Sequence, residues 1–186
     1  ERRLAWRGQL SAVVVGGGAD HEPAQWNTEQ RRLDALRTEL GVRDAVHFVG
    51  ARDQDQLPLF YSAADVVTMP SHYESFGMAA LEGLACGRPV VATSAGGPAY
   101  IVEDGVSGLH TPPDDPAALA DRLEQVLDND ARRAAMGQAA RLRAQRFGWE
   151  TIASDILDVY ACTIERSTLA CATVVPQREH ALLPRN

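Results

Sequence analysis

Asp65-Val66-Val67-Thr68-Met69 ends at Pro70-Ser71, a helical pattern follows from about Phe76 to Cys86-Gly87, and Pro89-Val90-Val91-Ala92-Thr93 then stops before Gly96-Gly97. Two short runs rich in β-branched residues, separated by one helix-length segment, read as a βαβ unit whose right-handed crossover makes the strands parallel. The alternation continues in both directions. Upstream, Leu10-Ser11-Ala12-Val13-Val14-Val15 stops at Gly16-Gly17-Gly18 and reads as a strand buried on both faces. Ala45-Val46-His47-Phe48-Val49 ends at Gly50, and Gly108-Leu109-His110-Thr111 is a fifth, weaker strand. Trp26, Leu33, Leu36 and Leu40 mark a helical face that closes at Gly41. Leu57, Leu59, Phe60 and Ala63 mark a shorter helix, in which Pro58 is tolerated only within the first turn. An α/β chain with a parallel sheet is expected.

From Asp115 the pattern is helical alone. Asp115-Pro116 is an N-cap and first-turn pair, and Leu119, Leu123, Val126 and Leu127 form the apolar face behind it. A second helix is expected from about Asp130 to Phe147. A third, opened by Trp149-Glu150-Thr151, carries Ile152, Ile156, Leu157, Val159 and Tyr160. Beyond Glu165 the periodicity lapses, and residues 166–186, with Pro176 and Pro184, read as a loose, disordered tail.

Composition narrows the chemistry. All 18 basic residues among the 186 are arginine, against 25 acidic ones, for a formal net charge of -7. A Schiff-base lysine, a lysine-activated serine and a Gly-Lys-Ser/Thr phosphate loop are therefore excluded within these residues. The acidic balance argues against nucleic acid or an anionic membrane surface as the main partner. Hydrophobic residues make up 45% of the chain, enough for a core, and no apolar run approaches the roughly 20 residues of a membrane span. Cys86, Cys162 and Cys171 are odd in number and lack metal-ligand spacing, which places reduced thiols in a cytosolic setting. The first residue, Glu1, is not methionine, and a longer protein is expected around this segment.

In a parallel α/β sheet, ligands collect outside the carboxyl ends of the strands. Gly16-Gly17-Gly18-Ala19-Asp20-His21 offers amides for an anion, Gly17 among them, but lacks the spacing of a dinucleotide fingerprint and also reads as a tight turn. The loop from Pro70 to Gly83 is richer. If its helix starts at Phe76 or Gly77, the amides of Gly77, Met78 and Ala79 are first-turn donors without intrahelical acceptors, suited to phosphate oxygens. Glu74 precedes that terminus and Glu82 projects from the second turn. Each carboxylate is a double acceptor that suits the paired hydroxyls of a sugar or ribose. Each also has a plain reading, as a helix-terminus charge and as a solvated helix position. Gly96-Gly97 fits either a phosphate or acceptor contact or simple turn geometry. Asp104-Gly105 and Ser107-Gly108 look like turns, Cys86 like a packing residue, and His21 and His72 like polar contacts beside the cleft.

These segments resemble a known family. Phe60 to Ser71, Glu74-Ser75-Phe76-Gly77-Met78 through Glu82, Ala85 to Thr93, Gly96-Gly97, and Val102 to Gly108 are similar to the C-terminal domain of family-4 retaining glycosyltransferases, also called glycosyl transferases group 1. Phe147-Gly148-Trp149-Glu150 resembles the start of that domain's last helix, and the likeness runs from about residue 10 to 165. It implies the GT-B arrangement of two Rossmann-like domains, with residues 1–165 as a nucleotide-sugar-binding domain that lacks its first strand. The expected fold is then a doubly wound parallel sheet with helices on both faces, followed by C-terminal helices.

The resemblance also implies roles. Glu74, as the catalytic residue, contacts donor-sugar hydroxyls, which Ser75, Phe76 and Gly77 line; Gly77, Met78, Ala79 and Gly17 meet the diphosphate; Glu82 holds the ribose; Ala51 and Arg52 border the base. It implies a nucleotide-diphosphate sugar as co-substrate with no metal or other cofactor. The acceptor, a sugar, polyol or lipid-linked group, would be met by an N-terminal domain, which is also where any peripheral membrane contact would lie. The family's diphosphate-gripping arginine and lysine would lie upstream of Glu1. A nucleotide-sugar 2-epimerase of similar build and a non-catalytic nucleotide-sugar-binding module remain as alternatives.

Overall fold

A computed structural model describes residues 10–17 and 26–164; the expected tail at 166–186, with Gly18, Ala19, Asp20, His21 and Cys171, lies outside the described residues. The chain forms two compact units that divide between Leu59 and Phe60.

In the first unit, β1 (Ala12–Val15) pairs in parallel with β2 (Val46–Gly50), from Ala12 opposite Val46 to Val15 opposite Gly50. The helix between them, α1 (Thr28–Glu39), opens with a capping box. The Gln30 N–H donates to the Asn27 side-chain oxygen at 2.8 Å, and the Asn27 N–H donates back to Gln30 Oε1 at 3.1 Å. Two first-turn donors are thereby satisfied.

Two expectations fail in this unit. The apolar face drawn through Leu36 and Leu40 turns outward, with these residues 39% and 59% exposed. The helix instead faces the sheet with Gln30, Leu33 and Arg37, which share the same period. Arg37 donates to the Val46 carbonyl at 2.7 Å, pairs with Asp34 at 2.6 Å, and lays its guanidinium 4.8 Å from the Phe48 ring centroid. An arginine can cover a sheet in this way because its stem is apolar and its planar head is attracted to an aromatic face. Trp26 is buried as expected, but it precedes the helix and meets Phe48 edge-on at 5.9 Å. The second failure is β1, which is not buried on both faces: Val13 is 50% and Val14 39% exposed. A β-branched run can fill two interfaces only where two layers exist, and the described part of this unit offers one full helix.

α2 (Leu57–Ala63) spans the division, with Pro58 in its first turn. The second unit continues through β3 (Val67–Met69), α3 (Met78–Ala85), β4 (Val90–Thr93), the single turn α4 (Pro98–Ile101) and β5 (Gly108–Thr111). Three longer helices follow: α5 (Pro116–Leu127), α6 (Asp130–Gln145) and α7 (Trp149–Ile164). The sheet order is β3-β4-β5, all parallel, with Val67 opposite Val90 and Val90 opposite Gly108.

All four residues of β4 are buried, and the pleat sorts them. Val90 and Ala92 join Met69, Ala80, Leu84, Ile101, Val102, Ala140 and Ala144 on one face. Val91 joins Leu109, Val126 and Met136 on the other. Helices thus cover both faces of this sheet, and each buried valine contributes about 1.5–3 kcal/mol. Asp115 caps α5 through the Ala118 N–H at 2.8 Å, as the Asp-Pro pair predicts. α7 forms where expected, yet Trp149, Ile156, Leu157, Val159 and Tyr160 on it are exposed.

Candidate functional site

The segment from Pro70 to Gly77 leaves the carboxyl end of β3 and is tied to its neighbours by main-chain contacts. At the end of β4, the Thr93 hydroxyl donates to the Ser71 carbonyl at 2.6 Å. Further on, the Gly97 N–H donates to the Glu74 carbonyl at 2.7 Å. Gly96 and Gly97 lie flat against this loop: a Cβ on Gly96 would overlap the Glu74 carbonyl oxygen, and one on Gly97 the Phe76 carbonyl oxygen. The bare backbone of this glycine pair thus supports the Glu74 loop, a role distinct from the phosphate or acceptor contact and the turn geometry expected of it. Phe76 meets Phe147 edge-on at 6.4 Å. Phe147 lies under the Arg143 guanidinium, which donates to the carbonyls of Ile101, at 3.1 Å, and Tyr100.

Gly77 is the N-cap of α3, with φ 100° and ψ 48°. This left-handed conformation suits glycine, and its Cα faces Pro98, whose Cγ would be 3.2 Å from an added Cβ. Gly77 has no side chain to cap the helix, and Glu74 takes that part. Its Oε1 accepts the N–H groups of Phe76 at 3.3 Å and Gly77 at 3.2 Å. A carboxylate in this place is favoured both by the hydrogen bonds and by the positive end of the helix dipole. The next residues, Met78 and Ala79, are exposed in the first turn, where amides have no intrahelical acceptor. The terminus therefore already holds one carboxylate and presents further donors beside it.

Glu82, half-buried in the second turn of α3, accepts a hydrogen bond from the Tyr61 hydroxyl at 2.9 Å. Tyr61 comes from α2, 21 residues earlier. Burial, followed by its bond to the Glu82 carboxylate, pushes the Tyr61 phenol well above its ordinary value. It stays a protonated donor throughout the physiological range.

Glu74, Ser75, Phe76, Gly77, Met78 and Ala79 thus form one loop-to-helix junction, with Glu82 on the same helix. Ser75 is exposed, and the Phe76 ring is engaged with Phe147. The other three candidates belong to the first unit. Gly17 follows β1, and Ala51 and Arg52 follow β2, at the carboxyl ends of a parallel pair that the Gly16 N–H to Gly50 carbonyl bond of 2.8 Å continues. Gly17 has φ 87° and abuts the Gln30 side chain, so the turn reading and close helix packing are both present there. Arg52 donates to the Ala51 carbonyl at 3.1 Å.

Of the remaining residues, His72 pairs with Asp114 at 2.8 Å on the surface, whereas His21 lies outside the described residues. Asp104 and Gly105 form a turn, with the His110 N–H donating to Asp104 at 2.8 Å and the Gly105 N–H to the Gly108 carbonyl at 2.9 Å. Cys86 is the C-cap of α3. Among the described residues, no three His, Cys, Asp or Glu side chains gather closely enough to hold a metal ion. Sequence reasoning gives Tyr61, Phe147 and Arg143 no role in the site, although Tyr61 and Phe147 lie within the segments that carry the family resemblance. Arg143 and Phe147 are one helical turn apart, but the partners that tie these residues to the site, Glu82, Phe76 and the carbonyls of Tyr100 and Ile101, lie far along the chain.

The sequence model of the family described as "Glycosyl transferases group 1" matches residues 3–143. A D-inositol 3-phosphate glycosyltransferase of Xylanimonas cellulosilytica is 45% identical over 154 residues, which are 83% of this chain and 36% of that protein. Among solved structures, a sucrose-phosphate synthase from Thermosynechococcus elongatus superposes with a TM-score of 0.73 at 38% identity, covering 83% of this chain and 39% of the other. HepE of Anabaena, solved in complex with UDP, superposes with a TM-score of 0.72 at 31% identity, covering 83% and 41%. The chain spans between a third and about two fifths of the length of these proteins.

Proposed function

This chain belongs to the group 1 glycosyl transferases, and on that premise we propose that it is the donor-binding half of a retaining hexosyltransferase using a nucleotide-diphosphate sugar. The observation that carries the reading is the N-terminus of α3, where the loop bearing Glu74 is held against Gly96 and Gly97 and Glu82 stands one turn further on. A diphosphate fits the donors at Gly77, Met78 and Ala79. Glu74 and the main chain of Ser75 and Phe76 take the sugar, and Glu82 the ribose.

The Glu74 carboxylate accepts the amides of Phe76 and Gly77. Donor binding exchanges these bonds: phosphate oxygens replace the carboxylate, and Glu74 accepts sugar hydroxyls instead. The departing diphosphate, steadied by the helix terminus, takes the acceptor proton on the same face of the sugar. Stabilisation of that leaving charge by fixed amides supplies most of the rate. As the family resemblance implies, the reading assigns no step to a metal.

UDP heads the nucleotides to test, because HepE was solved with it. Inositol 3-phosphate heads the acceptors, from the name of the X. cellulosilytica relative. Titration calorimetry on the full-length protein with UDP, GDP and ADP is expected to give saturable heat with one of them. Glu82→Ala should weaken that binding roughly 10-fold or more, as expected for losing hydrogen bonds to a charged group. No heat with any of the three would sink the reading.

A further inference from the structure

We propose that Tyr61 is a positioning residue that sets the orientation of the Glu82 carboxylate for ribose recognition. The inference rests on the reading of Glu82 as the ribose partner. A glutamate on an exposed helix position samples several rotamers, and a ligand that needs one of them must bear the entropy of selecting it. Here the Tyr61 hydroxyl donates to Glu82 Oε2 at 2.9 Å, which ties the plane of the carboxylate to a second helix before any nucleotide arrives. Such preorganisation raises affinity without adding a contact to the ligand.

The support for Tyr61 is itself held. Arg88, just beyond the end of α3, donates to the carbonyl of Ser62, the residue next to Tyr61. α2 and α3 are thereby joined by a side-chain bond at one end and by the Tyr61 to Glu82 bond within α3. The half-buried phenol also resists ionisation, so the hydroxyl remains a donor wherever the enzyme works. A phenylalanine at this position would keep the ring packing and remove only the hydroxyl.

The test compares each nucleoside diphosphate with its 2′-deoxy form, by calorimetry on the full-length protein, for wild type, Tyr61→Phe and Glu82→Ala. UDP and dUDP are the first pair, with GDP/dGDP and ADP/dADP completing the set. Wild type should favour the ribonucleotide, and Glu82→Ala should abolish the preference. Tyr61→Phe should lower it roughly three- to tenfold, by weakening ribonucleotide binding while leaving the deoxy form unchanged. Equal weakening of both forms would indicate structural damage and overturn the proposal. A wild-type preference retained in Tyr61→Phe but lost in Glu82→Ala would overturn the positioning role alone. If Glu82→Ala keeps the preference, or wild type binds no diphosphate, the ribose reading falls and this inference falls with it.

Discussion

Ala12-Val13-Val14-Val15 and Val90-Val91-Ala92-Thr93 are nearly interchangeable as sequences, and both form four-residue parallel strands. Their surroundings differ. β4 is buried along its whole length, between one layer containing Leu84, Ile101 and Ala140 and another containing Leu109, Val126 and Met136. Among the described residues β1 pairs with a single strand, β2, and leaves Val13 half exposed. Local composition therefore reports the capacity of a strand to be buried, and the layers around it decide whether that capacity is used.

The same substitution in the two strands tests this most strongly. Val91→Asp places an unpaired carboxylate between two packed layers and should cost about 3–5 kcal/mol or prevent folding. Val13→Asp should cost about 1 kcal/mol or less, since its side chain already meets water. Denaturant titration of both variants measures the difference, and equal losses would show that β1 is as deeply embedded as β4.

A smaller effect is expected where the β4 sheet meets the candidate site. Gly97→Ala puts a methyl group into the Phe76 carbonyl, with no flexible side chain to give way. Overpacking of this kind costs about 1–3 kcal/mol. Because the displaced carbonyl belongs to the Glu74 loop, nucleotide-diphosphate binding should fall along with the thermal midpoint. Gly105→Ala is the control: its added methyl group meets nothing nearby, and its cost should be confined to backbone strain at φ 79°, with binding intact.

The smallest effect distinguishes the polar pairs of the two units. The Tyr61 pKa is raised in the folded protein, by burial first and then by Glu82. Since free tyrosine ionises at about 10, the pair's contribution is complete below that pH and declines as pH rises above it, toward the folded value. Tyr61→Phe should therefore flatten the loss of stability on the alkaline side. In the first unit, Glu29 is held below its ordinary value by its hydrogen bond to Arg32, so its contribution is present above the carboxylate range and fades as pH falls. That pair is fully solvated, and Glu29→Gln should leave the acid limb of the stability curve almost unchanged. An alkaline limb identical in wild type and Tyr61→Phe would remove the contrast.

Much of the architecture was legible in advance because its signals are local. The strands β1 to β4 are short runs with β-branched residues that stop at or shortly before glycine or proline, and Asp115-Pro116 and Gly41 mark helix ends through their own backbone preferences. The Glu74 to Glu82 segment was legible for the same reason: a strand end, a helix start and two carboxylates lie within 14 residues. The outward turn of Leu36 and Leu40 was not. Arg37 competes for the same helical face through a carbonyl and an aromatic ring that belong to β2, and periodicity alone ranks leucine above arginine. Gly96 and Gly97 were visible as glycines, but their reason was hidden, since the carbonyls that exclude a side chain there lie some 20 residues upstream.

What the sequence determined by itself was the order of elements, their parallel pairing and the placing of Glu74 and Glu82 around one helix start. These follow from side-chain periodicity and turn chemistry within a few residues of each position. Only the tertiary structure decided which strand is buried, that Glu74 caps α3 with its own carboxylate, and that Tyr61 donates to Glu82. Burial requires layers contributed by distant segments. The direction of a carboxylate depends on whichever donors the folded chain brings within about 3 Å of it.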